Sequence, residues 1–270
     1  MIFITGDIHG QGLDLQSRIM HSEMMKTHGR QADYMVDGKP VTALGNVKEL
    51  MCCGDVGLTY GKTASPDIKR VMGMENPDTL FIVMRGNHDN RYWEKAAGGS
   101  FIIDKKWGYT EPDCFGGQFI YEKQYPNILY VKDEGGLYNI GGRAVLFIPG
   151  AYSVDIPYRL RMGLPVEEHE QLTQPEMDAL LDAVKNYQGR LIVVSHTCPY
   201  SWMDAIAGLL HPDVDQSTVD FSMERGIEPI WDNVKDRCDG WYFGHYHHDA
   251  EINGTDGIAH MLYHNLIRFA

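Results

Sequence analysis

A chain of 270 residues with 43% hydrophobic and 23% charged side chains lies within the range of one layered α/β domain and is not a disordered polymer. Its 24 basic against 37 acidic residues give a net charge of −13, which repels nucleic acid and disfavours general DNA or RNA binding. No apolar run approaches a membrane span, Met1–Thr5 lacks the basic n-region and cleavage site of a signal peptide, and the five cysteines contain no Cys-x-x-Cys pair. A reduced, cytoplasmic protein without a membrane partner is therefore expected.

Ile2–Thr5 is a short apolar run closed by Gly6, as a buried strand would be. Leu13, Ile19, Met20 and Met24 share one helical face, predicting a helix over about 12–28. Tyr34–Leu44 holds the hairpin turn signal Asp37-Gly38. Leu50–Cys53 reads as the next strand, Pro66 opens a short helix, and Thr79–Met84 is the third strand. Residues 91–127 are aperiodic and rich in Gly, Trp and Tyr, like an irregular surface insert in a single domain spanning 1–270. Ile128–Val131, Leu137–Ile140 and Ala144–Ile148 follow as strands. Pro175–Tyr187 reads as a helix, with Thr173 and Glu176 spaced as a capping box. Leu191–Val194 and Trp241–Phe243 are strands, and 249–269 reads as an antiparallel meander turning at Asn253-Gly254 and Asp256-Gly257. The alternation points to an α/β layered fold with mixed sheets.

Five strands end in side chains able to hold a metal: Asp7-Ile8-His9, Gly54-Asp55, Gly86-Asn87-His88-Asp89, Ser195-His196 and Gly244-His245-Tyr246-His247. Carboxyl ends of parallel strands share one edge, where open α/β folds place their sites. Asp-x-His and His-x-His put both side chains on one side of an extended chain. Two carboxylates, one amide and four imidazoles exceed one tetrahedral ion and suit two adjacent transition metals, Mn, Fe or Zn, sharing a carboxylate.

These five motifs together resemble the calcineurin-like metallophosphoesterase superfamily, over residues 5 to 247. The resemblance implies two mixed sheets packed as a sandwich flanked by α-helices, with a dinuclear centre at the strand ends. It would place Asp7, His9 and His247 on one metal, Asn87, His196 and His245 on the other, and Asp55 as the bridge. The ions would be Mn2+, Fe2+/Fe3+ or Zn2+. It also assigns His88 to the leaving group, with Asp89 either orienting it or capping the next helix. The reaction implied is phosphate ester hydrolysis by a metal-bound hydroxide, favouring a phosphomonoester. A phosphodiesterase or nucleotide pyrophosphohydrolase is the alternative, and a non-catalytic binding module is the reading furthest behind.

Arg85-Gly-Asn-His-Asp resembles the bacterial or phage Ser/Thr phosphatase-like branch, so the partner would be a small phosphorylated substrate or a phosphoprotein. The second motif, however, reads Gly54-Asp-Val-Gly-Leu-Thr-Tyr60 and lacks that branch's phosphate-gripping Arg. Arg85 itself reads as structural. Replacement contacts would come from Asn87 and from Tyr152 or Arg159, which follow the strand Ala144–Ile148. Trp93, Trp107, Tyr109, Phe115 and Tyr121 either stack a base or form a satellite core.

Overall fold

The computed structural model describes residues 2–18, 35–36, 39–40, 48–59, 66–93, 106–163, 166, 169–209 and 219–268. Its first strand, β1 (Ile2–Thr5), has all four side chains buried. A helix, α1, covers 12–18; the remainder of the helix expected to 28 lies outside the described residues. The expected hairpin is present where described, β2 (Met35–Val36) pairing antiparallel with β3 (Lys39–Pro40). Then come β4 (Glu49–Cys52), α2 (Pro66–Arg70) running into a π turn over Val71–Glu75, and β5 (Leu80–Val83). Strands β6 (Trp107–Tyr109), β7 (Ile120–Glu122), β8 (Ile128–Tyr130), β9 (Gly136–Ile140) and β10 (Arg143–Ile148) precede α3 (Ile156–Arg161). The capping box predicted at Thr173 opens α4 (Gln174–Asn186), the Thr173 amide donating to Glu176 Oε2 at 2.7 Å. The chain continues through β11 (Leu191–Ser195), α5 (Met203–Ile206), α6 (Ser222–Val234) and β12 (Cys238–Phe243). Three short strands follow, β13 (Ala250–Glu251), β14 (Ala259–Met261) and β15 (Leu266–Arg268).

Two mixed sheets result, ordered β15-β1-β4-β5-β8-β7-β6 and β13-β14-β12-β11-β10-β9. Strands β1, β4, β5 and β8 run parallel, as do β10, β11, β12 and β14. Period-two alternation assigns each side chain to a layer. Ile2, Ile4, Met51 and Ile82 from one sheet meet Val145, Phe147, Ile192 and Val194 from the other in the inter-sheet core. Phe3, Leu50, Cys52 and Phe81 face outward onto Leu15, Ile68 and Met72. On the far side Leu146, Val193 and Trp241 pack on Leu180 and Val184 of α4 and on Ile227 and Ile230 of α6. Strands covered on both faces must read as unbroken apolar runs, which is how they appear in the sequence.

Two expectations need correction. The aperiodic stretch 91–127 contributes β6 and β7, an antiparallel edge of the first sheet, with Trp107 buried against Tyr130 at 5.5 Å between ring centroids. The tail is not one meander: β14 pairs parallel with β12, and β15 crosses to lie antiparallel to β1 in the other sheet. Among the described residues no helix is long and apolar enough to cross a membrane, and all five cysteines are free.

Candidate metal centre

The carboxyl ends of β1, β4, β5, β11 and β12 deliver all five motif loops to one edge of the sandwich. The local geometry is not the extended chain that Asp-x-His and His-x-His spacing suggested. His9 (φ 50°), Asp55 (φ 47°), His245 (φ 72°) and His247 (φ 55°) all sit in the left-handed region; Asp256 is the other non-glycine residue described there. Side chains with a Cβ occupy that region at a cost, and such residues concentrate at functional sites. Close approach is the second local device. A Cβ on Gly244 would overlap Asp7 Oδ1, and one on Gly86 would overlap Asp55 Oδ1. The glycines beside the motif residues therefore let two fully buried carboxylates reach the centre.

Asp7 accepts the His245 amide on both oxygens at 3.1 Å, and its carbonyl accepts from Arg18 Nη2 at 2.7 Å. His247 Nε2 lies 3.3 Å and His9 Nε2 3.7 Å from Asp7 Oδ2, and the two imidazole nitrogens are 2.8 Å apart. Donor atoms of Asp7, His9 and His247 all fall within 4.8 Å of one another, as do those of Asp7, Asp55 and His196. By this measure the carboxylate common to both groups is Asp7, whereas the resemblance gave the bridge to Asp55.

The second half is the more telling. Asn87 Nδ2 donates to Ser153 Oγ at 2.6 Å, which turns Oδ1 toward His196 Nε2 at 2.7 Å and His245 Nδ1 at 3.1 Å. His196 Nδ1 lies 2.7 Å from the Cys53 carbonyl, which can only accept, so Nδ1 carries the hydrogen and neutral His196 presents a lone pair at Nε2. An amide oxygen, imidazole nitrogens and the Asp55 carboxylate, 3.6 Å from His196, thus face one another as acceptors. Without a cation, hydrogens on neutral His245 or on a protonated His196 would have to satisfy them. Burial alone lowers the His196 pKa, but Asp55 overrides it and carries it up to about 9. Burial pushes the Asp55 carboxyl up, yet His196 holds it well below the usual range. Burial and then His196 keep His245 neutral, the form that binds metals. The donor set therefore fits transition-metal ions.

His88 donates its amide to Asp55 Oδ1 at 3.0 Å and lines a cavity of about 290 Å³ together with Asp55, Asn87, His245, His247 and Tyr152. Asp89 is buried and bonds to backbone amides. Its carboxylate accepts from the amides of Val56 and Gly57 at 3.3 Å and Gly86 at 3.2 Å, tying the second motif loop to the third. Burial and the Asp55 charge raise its pKa to about 7. Arg159 is held by Asp155 at 3.0 Å and Glu170 at 2.6 Å and is not among the residues lining the cavity. Arg85 is structural, donating to the carbonyls of Asp133 and Glu170. The aromatic residues of 91–127 pack as satellite core, Trp93 on Tyr109 and Phe115 on Tyr187. Several residues were not anticipated from sequence: Arg18, Ser153, and the cavity residues Met203, Phe221, Glu224 and Tyr246. Glu224 lies on α6, whose apolar residues Met223, Ile227, Ile230 and Val234 repeat at helical spacing interrupted by Gly226 and Pro229.

A family model described as calcineurin-like phosphoesterase matches residues 1–249. No curated protein matches the sequence. Among solved structures the chain is similar to a putative 5′-nucleotidase from Staphylococcus aureus, with 14% identity and a TM-score of 0.45, covering 98% of this chain and 49% of that one. It thus spans about half the length of that protein. It is also similar to the phosphopantetheinyl hydrolase PptH of Mycobacterium tuberculosis, with 11% identity and a TM-score of 0.41, covering 97% and 87%. A third is the sulfate thiohydrolase SoxB of Thermus thermophilus, with 12% identity and a TM-score of 0.38, covering 98% and 51%.

Proposed function

We propose, from the premise that the chain belongs to the calcineurin-like phosphoesterase family and is a metal-dependent phosphoesterase, that it hydrolyses its ester at a two-metal centre. The observation that carries this reading is the convergence of ligand-type atoms in two adjoining groups, Asp7 with His9 and His247 and Asp7 with Asp55 and His196, with Asn87 Oδ1 beside His196 and His245. Asp7, His9 and His247 would hold one ion and Asn87, His196 and His245 the other, with a carboxylate, Asp7 or Asp55, serving both. Such ions, when bound, acidify water and offset charge that builds at phosphorus. His88 lines the same cavity, where an imidazolium would protonate the departing oxygen. Asp89 fixes the amides of Val56, Gly57 and Gly86, and so holds Asp55 and Asn87 in register.

Of the ester subclasses, the geometry favours a small diester over the monoester that the sequence suggested. A dianionic monoester calls for a basic clamp, Arg159 is committed to two carboxylates, and among the described residues no Lys or Arg lines the cavity. Protein loaded with Mn2+ should cleave bis(4-nitrophenyl) phosphate with a higher kcat/KM than 4-nitrophenyl phosphate. Asp55→Asn and His88→Ala should each suppress turnover, on the order of 10²-fold or more for His88→Ala. Wild-type rates in both variants would remove the mechanism, and a monoester preference would reverse the subclass.

A further inference from the structure

Beyond the metal ligands, the cavity has a second wall that the hydrolytic reading does not use. Met203, Val219, Phe221 and Tyr246 line it from the α5 and α6 side and from the fifth motif loop, with Val154 opposite. Phe221 precedes α6 and Met203 opens α5, so this wall rests on helices packed in the outer core. Two carboxylates accompany it. Asp155 is already paired with Arg159, whereas among the described residues no Lys or Arg lines the cavity beside Glu224. Glu224 is 3% exposed, and its Oε1 accepts from Thr197 Oγ1 at 2.6 Å, while Oε2 is buried with no hydrogen-bond partner among the described residues. A buried carboxylate oxygen without a donor is costly and in native proteins calls for a specific partner. The nearest guanidinium of this helix, Arg225, is stacked over the Tyr200 ring at 3.7 Å and does not line the cavity.

We infer that this wall is the leaving-group pocket, and that it takes an uncharged, largely apolar or aromatic alcohol carrying one hydrogen-bond donor for Glu224. The inference rests on the phosphoesterase reading and deepens it. Apolar walls bind a neutral ring through burial and aromatic contact. An anionic leaving group, including the second phosphate of a pyrophosphate, would meet Glu224 with no basic side chain beside it among the described residues, which counts against the nucleotide pyrophosphohydrolase alternative. The acid–base step is unchanged: water's oxygen joins phosphorus and gives one proton to solvent, the P–O bond to the alcohol breaks with its electron pair going to the leaving oxygen, His88 protonates that oxygen, and His88 regains a proton from solvent.

The test uses Mn2+-loaded protein and paired aryl esters of matched leaving-group acidity, one neutral and one bearing a ring sulfonate, made as both methyl diesters and monoesters. The neutral member should be preferred at least about tenfold in kcat/KM in whichever series is turned over, worth about 1.4 kcal/mol. A hydroxymethyl substituent on the ring should outperform a methyl. Val154→Lys, at an exposed position on the opposite wall, should narrow or invert the discrimination against the sulfonate. Equal or better turnover of the sulfonated ester, with no response to Val154→Lys, would overturn the pocket assignment. If neither series is cleaved, the hydrolytic reading fails on these esters. Calorimetric binding of neutral against sulfonated aryl phosphonates then decides the pocket separately, and equal affinity would sink it.

Discussion

Replacing Gly244 by Ala isolates the close approach that builds the first half of the metal centre. Gly244 does not occupy the left-handed region, so alanine is compatible with its backbone and the perturbation is steric. The added methyl falls on Asp7 Oδ1, with the Cys53 carbonyl 3.5 Å away on another side. Either the buried carboxylate or the β12 end must shift by on the order of 1 Å, since carbon and oxygen repel steeply inside contact. Overpacking of this kind costs about 1–3 kcal/mol, which for a domain of this size lowers Tm by roughly 2–4 °C per kcal/mol. The larger effect should be on the site, because a 1 Å displacement of a positioned group costs on the order of 10²-fold in rate. Gly208→Ala is the control, for a Cβ there meets nothing within 4 Å. The assay is bound metal per chain, Mn2+-dependent kcat and the melting curve for wild type and both variants. Full metal occupancy and wild-type kcat in Gly244→Ala would refute the reasoning, whatever happened to Tm.

Three further outcomes are expected. Chelation should lower Tm, since an ion held at a hundredfold above its Kd adds about 2.7 kcal/mol, and Asp55→Asn should abolish the Mn2+-dependent rise; a melt indifferent to metal in wild type contradicts the donor-set argument. Glu176 is bound by Arg91 at 2.6 and 3.1 Å; although burial opposes it, this contact holds its pKa at about 2, against 4.5 ordinarily. Its folded-state pKa is depressed, so the stabilisation is present above pH 4.5 and is lost as pH falls toward 2. After solvent screening it is worth about 1 kcal/mol, so the urea-denaturation gap between wild type and Glu176→Gln should close between pH 6 and pH 2; a constant gap speaks against it. Arg159→Ala should behave as a stability mutant, leaving Glu170 buried without its partner at a cost of about 3–5 kcal/mol, and KM measured on the folded fraction should stay within threefold. A selective rise in KM without loss of Tm would return Arg159 to the substrate.

The strands and the motif positions were legible because doubly covered parallel strands leave continuous apolar runs, and those of β1, β4, β11 and β12 stop at or next to a glycine or serine beside a ligand-type residue. The capping box of α4 was legible for a similar reason, being a local device with a fixed spacing. What escaped were features set by tertiary contact. Strands β6 and β7 are three residues each and owe their place to an edge of β8 and to Trp107 packing. The helix α6 carries Gly226 and Pro229 inside it, which masked its apolar spacing, and with it went the cavity wall. Spacing brought His245 and His247 into the ligand set, but for the wrong backbone reason. The direction of Asp89 was not readable either, since its partners are amides 32 and 33 positions earlier in one loop and Gly86 in its own.

The left-handed backbone at His9, Asp55, His245 and His247 has an evolutionary corollary. Each such conformation taxes the native state by on the order of 1–3 kcal/mol, and glycine or asparagine would relieve it. A library selected for heat tolerance alone, with no demand for turnover, should drift toward those two residues at these four positions. Repeating the selection with ester cleavage as the survival criterion should pin all four in place.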